Sequence, residues 1–161
     1  METLWAPWRM TYILDEDKPN GCIFCLAGDG KGADDLVLGV GTHALVMMNK
    51  YPYNNGHLLV APRRHLPSLD GLSQEEMCDL LDLVRCSVNA LKQVMKPAGF
   101  NVGLNLGRSA GAGIEEHLHF HVVPRWDGDT NFMTVFGEVR VIPEHIRATC
   151  DKLRPFFADL K

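Results

Sequence analysis

Three histidines on alternate residues, His117, His119 and His121 in "HLHFHVVPRW", lie in a run that is otherwise mostly apolar. Read as a strand over His117 to Val123, this run sends the three imidazoles to one face and Leu118, Phe120 and Val122 to the other. Alternate positions on a strand are about 6.5–7 Å apart. That spacing suits one nucleophile with hydrogen-bonding neighbours. It does not suit one metal held by all three, because zinc ligands converge on a point about 2 Å from each nitrogen. Neutral imidazole is a good nucleophile near neutral pH, and a covalent intermediate splits one displacement into two easier ones. Upstream, "LGRSAGAG" is rich in glycine and supplies several backbone N–H groups, the composition of a concave anion site.

A second chemical feature is "CIFC", in which Cys22 and Cys25 have the spacing of a knuckle whose two thiolates grip one zinc ion. A redox dithiol and a pair of free thiols are the other readings. The chain has five cysteines, an odd number. In a reducing compartment they are expected as free thiols or metal ligands. Cys78, Cys86 and Cys150 fall in helical patterns as small core or surface residues.

The elements that must position these groups read as follows. "LVLGV" from Leu36, "HALVMMN" at His43 to Asn49 and "HLLVAP" at His57 to Pro62 are strands. The last two are joined by the turn chemistry of "KYPYNNG" and predict an antiparallel hairpin. Ser73 with Glu76 forms a capping box, after which Met77, Leu80, Leu81, Val84, Val88, Leu91 and Val94 recur at helical spacing until Pro97 and Gly99. "FNVGLNLG" at Phe100 to Gly107 alternates as a strand, and Pro143 to Leu160 reads as a C-terminal helix. The N-terminal arm, with Trp5, Pro7, Trp8 and Tyr12, is expected to lie extended over an apolar surface. Hairpin-linked strands before and after one long central helix predict an α+β domain, an antiparallel sheet covered by helices.

At 161 residues the chain fits a single domain over 1–161, with an arm over 1–21 ahead of the Cys22–Cys25 knuckle. A net charge of −4 argues against nucleic acid as a partner, and no apolar run approaches a membrane span. The expected location is the cytoplasm, as the first residues lack a signal-peptide pattern.

"HLHFHVV" resembles the motif of the histidine triad (HIT) superfamily of nucleotide hydrolases and transferases, His-φ-His-φ-His-φ-φ with φ apolar. "NKYPYNNGHLLVAPRRH" upstream and "PRW" downstream are similar to the family's flanking segments. The layout from Asn105 through Met133 resembles the bacterial branch that contains diadenosine tetraphosphate phosphorylases, related to Fhit-like hydrolases. The resemblance implies a HIT-like fold and an enzyme acting on dinucleoside polyphosphates through a nucleotidyl-histidine, with phosphate or water as acceptor. The alternatives are a Hint-like nucleoside phosphoramidase and a non-catalytic nucleotide-binding module.

By the same resemblance His119 is the nucleophile and His121 reaches a phosphate oxygen or the leaving group. Asn105, Ala112 and Gly113 cradle the phosphate, Asn49 meets the ribose, and Trp126 stacks on the far nucleotide or covers the sheet. Leu45 and Met47 are candidates for an adenine wall or for core packing. His65 and His117 complete a structural zinc site with Cys22 and Cys25. His57 supports its strand, and His43 and His145 are surface residues. A homodimer is implied. The sequence departs from dinucleotide-hydrolysing members at Gly113, Ile114 and Glu115, where these carry Gln-Ser/Thr-Val. Such a cradle would be open enough to admit inorganic phosphate.

Overall fold

The structure, a computed structural model, describes residues 21–31, 36–129 and 142–160. The aromatic arm before residue 21 and the segment that includes Met133 lie outside the described residues. A short helix α1 (Ile23–Gly28) precedes strands β1 (Val37–Val40), β2 (Ala44–Met48) and β3 (Leu58–Pro62). The long helix α2 (Gln74–Met95) follows, then β4 (Gly99–Leu104), β5 (Phe120–Arg125) and a C-terminal helix α3 (Ile146–Leu153). The five strands form one antiparallel sheet in the order β1-β2-β3-β5-β4. This is the α+β arrangement expected from the sequence.

Alternation along the strands creates two apolar layers. Ala44, Val46, Met48, Leu58, Val60, Leu118 and Val122 pack with Leu80, Leu83, Val84 and Leu91 of α2 and with α3. The opposite face carries Leu45, Met47, Leu59 and Ala61, covered by Phe24 and Ala27 of α1. Leu45 and Met47 therefore pack within the second layer. The predicted capping box is formed: Ser73 Oγ accepts from the Glu76 N–H, and the Glu76 carboxylate accepts from the Ser73 N–H at 2.8 Å.

Three boundaries differ from the sequence reading. The strand expected over His117 to Val123 runs from Phe120 to Arg125, so only His121 of the three histidines pairs within it. The cause is Pro62, which has no N–H to extend the ladder opposite Leu118. Its carbonyl is taken by the His117 ring, and Leu118 N–H donates instead to Leu66 O at 2.7 Å. β4 stops at Leu104 rather than Gly107, because Gly107 turns into a left-handed φ of 77° and opens a 3₁₀ turn at Arg108–Ala110. The C-terminal helix is α-helical only over Ile146–Leu153 and tightens into a 3₁₀ turn, Arg154–Phe157, where Pro155 removes an amide donor.

Candidate active site and metal cluster

Although the ladder begins late, the alternation holds. Leu118 and Val122 enter the helix-side core, and the histidines turn to the α1 side. The Phe24 ring, fully buried, lies 5.0 Å from the His117 ring and 4.9 Å from the His119 ring. His119 and His121 meet edge to face at 4.9 Å between centroids.

The hydrogen bonds fix how each ring carries its proton. His119 Nδ1 lies 2.8 Å from the His117 carbonyl, which can only accept, so Nδ1 carries the proton and Nε2 keeps a lone pair. Burial lowers the His119 pKa, which keeps the ring neutral. His57 is fully buried, and its Nδ1 accepts from the Tyr53 N–H at 3.0 Å and faces Asn49 Nδ2 at 3.3 Å. Its Nε2 therefore carries the proton and donates to His121 Nδ1 at 2.9 Å. His121 is left as the tautomer with its proton on Nε2, a buried atom with no hydrogen-bond partner among the described residues. Burial, and then the neighbouring His119, pushes the His121 pKa down to about 4. A lone pair on His119 and an N–H donor on His121 thus stand side by side, fit for attack on phosphorus and for binding an oxygen of the group attacked.

The other expected site residues fall in different places. Asn49 spends its side chain within the protein, Oδ1 accepting from the Tyr51 N–H at 2.9 Å and Nδ2 facing His57. Asn105 directly follows β4, whose Leu104 pairs with Phe120, so it stands near the histidine segment. Ala112 is half-buried and Gly113 exposed in the loop leading to His117, and Ile114 packs on the Phe24 layer. That places the loop on the histidine face. Trp126 lies beyond the far end of β5, where its indole N–H donates to Met95 O at 3.3 Å. Five residues of extended chain, roughly 16 Å, separate it from His121, so the fold does not bring Trp126 to the triad. His145 is exposed and caps α3, accepting from the Arg147 N–H. His43 is half-buried, and Cys78 and Cys86 are exposed while Cys150 is buried. The residue underrated in the sequence is His57, whose partner lies 64 positions away.

Cys22, Cys25, His65 and His117 offer ligand atoms that all lie within 4.8 Å of one another. Cys22 Sγ is 3.2 Å and Cys25 Sγ 3.7 Å from His117 Nδ1; His65 Nδ1 is 3.4 Å from Cys25 Sγ and 3.2 Å from His117 Nδ1. The edges of a tetrahedron built on ordinary Zn–N and Zn–S bonds are roughly 3.3–3.8 Å, so the four residues fit a zinc ion. His117 Nε2–H donates to Pro62 O at 2.8 Å, leaving Nδ1 bare toward the cluster, the outer contact a metal-ligating histidine usually has. Burial, and then the Cys22 thiol, pushes the Cys25 thiol up from its ordinary value. A cation would reverse that.

The model of the HIT domain family matches residues 31–128. The chain is 40% identical over 157 residues to a protein named AP-4-A phosphorylase from Mycobacterium tuberculosis, covering 92% of this chain and 80% of the relative. It is 29% identical to adenosine 5'-monophosphoramidase hnt1 of Schizosaccharomyces pombe over 82% of this chain and 95% of that one. A zinc-bound histidine triad family protein from Mycobacterium smegmatis superposes with a TM-score of 0.69 at 25% identity, covering 87% of this chain and 95% of that one. The chain belongs to the histidine triad (HIT) family.

Proposed function

We propose that this single-domain chain is an enzyme that cleaves dinucleoside polyphosphates, diadenosine tetraphosphate or a close analogue, by transferring a nucleotidyl group to His119 and then to phosphate or water. The observation that carries this reading is the bond from His119 Nδ1–H to His117 O, which leaves Nε2 as a neutral nucleophile beside the Nε2–H of His121. The 40% identity to the mycobacterial AP-4-A phosphorylase supports the substrate class.

In the first step His119 Nε2 forms an N–P bond as the bridging P–O bond breaks, and its electron pair leaves on the departing phosphate oxygen. His121 donates a hydrogen bond to a phosphate oxygen, and His57 keeps it in the donating tautomer. Asn105 and the loop at Ala112 and Gly113 steady the phosphate, and Asn49, engaged with the Tyr51 N–H and His57, braces the turn between β2 and β3. In the second step the acceptor oxygen forms the new O–P bond as the N–P bond breaks, restoring His119. Ile114 packs into the apolar layer and Gly113 has no side chain, a combination that favours inorganic phosphate as acceptor over a tightly held water. Product analysis with and without phosphate tests the acceptor. ADP formed only with phosphate supports phosphorolysis, and AMP alone, unaffected by phosphate, supports hydrolysis.

Cys22, Cys25, His65 and His117 hold a zinc ion in this reading, a closed four-ligand site with no position for reactive water, whose chemistry is structural. A homodimer is supported by β4, an edge strand of the sheet among the described residues, where Val102 is 46% exposed, and by Leu81 of α2 at 49%. Light scattering of the eluting protein tests it. No described helix is long and apolar enough to cross a membrane, and the net charge is −4. We place the enzyme in the cytoplasm with a small nucleotide, not nucleic acid or membrane, as its partner.

A further inference from the structure

The turn between β2 and β3 brings a second aromatic feature against the histidines. The Tyr53 ring lies nearly parallel to His121, at 19° and 5.5 Å between centroids, and 4.6 Å from the His57 ring. Its backbone N–H donates to His57 Nδ1. Yet Tyr53 is 46% exposed, and Tyr51 in the same turn is 43% exposed with the Lys50 ammonium 5.5 Å from its ring centroid. Large exposed aromatic surface next to a buried donor, His121 Nε2, marks a place where a ligand is covered on one side and recognised on the other.

Resting on the function proposed above, we propose that Tyr53 determines specificity for the departing nucleotide, its exposed ring stacking on the leaving base. Displacement at phosphorus requires the leaving oxygen roughly in line with the attacking atom, on the side of phosphorus away from His119 Nε2. The described ring contacts run from His119 to His121 and from His121 to Tyr53, so the chain of groups leads outward from the nucleophile. A base carried on that departing arm meets Tyr53. Stacking is the suitable contact there, because it tolerates any base and needs no pocket.

The test compares two substrates that share the transferred AMP and differ in the leaving group: diadenosine tetraphosphate, which expels a nucleotide, and adenosine phosphoramidate, which expels ammonia. Any loss of His121 positioning lowers both, so the ratio of their kcat/KM values isolates the stack. Tyr53→Leu is expected to lower that ratio about tenfold, chiefly through KM for the dinucleotide. Tyr53→Phe, which keeps the ring, should leave the ratio within about twofold of wild type. An unchanged ratio in Tyr53→Leu, whether both activities fall together or neither falls, overturns the proposal. Wild-type turnover of neither substrate overturns the functional reading and this proposal with it, which distinguishes the two failures.

Discussion

His57 Nε2 lies 2.9 Å from His121 Nδ1, and this bond, with the Tyr53 N–H behind it, decides which nitrogen of His121 faces the site. Replacing His57 by Gln removes the fixed direction of that donation without emptying the buried volume. The expected result is a fall in kcat on the order of 10²-fold with KM little changed, since the loss is one of orientation. Steady-state kinetics decides it, and a loss confined to KM would place His57 in binding.

The His119 and His121 imidazoles also set a pH dependence of stability. His121 titrates at about 4 when folded, against about 6.5 in an unfolded chain, and His119 is lowered in the same direction. Between those values the unfolded chain binds more protons, so folding stability rises with pH across the window. It is complete above about pH 6.5 and is lost progressively as pH falls toward about 4. Urea midpoints from pH 4.5 to 7.5 should show this slope, and His121→Gln should flatten it.

Gly56 sits at a φ of 75°, and a Cβ there would come 2.6 Å from Met95 Sδ. Gly56→Ala should destabilise the protein by about 1–2 kcal/mol for the left-handed backbone alone, with a further cost for moving Met95. Because the same turn carries Tyr53 and His57, activity should fall at temperatures where the variant is still folded. Thermal unfolding read beside turnover checks both.

Metal analysis of the purified protein should find about one zinc per chain, and Cys22→Ala should lose most of it together with thermal stability. Unchanged zinc in that variant would count against the assignment.

Much of this site was legible because its signals are local. The alternating histidines, the Cys22–Cys25 spacing and the Ser73–Glu76 capping box each lie within a few residues, and the resemblance supplied His65 for the metal cluster. What escaped depends on pairings distant in sequence. The late start of β5 follows from Pro62 lacking an N–H and lending its carbonyl to His117, 55 residues on. The importance of His57 depends on His121 across the sheet. The contact of Trp126 with Met95 O at the end of α2 likewise joins residues 31 positions apart.

The proposed mechanism passes through a covalent nucleotidyl-histidine. His119→Ala should abolish turnover while keeping nucleotide affinity within about tenfold, or about 1.4 kcal/mol. The most direct measurement is mass spectrometry of peptides from wild-type enzyme quenched during turnover of diadenosine tetraphosphate. We predict an adenylyl group on His119, absent from His119→Ala. Turnover by wild type with no modified histidine at any quench time would contradict the mechanism.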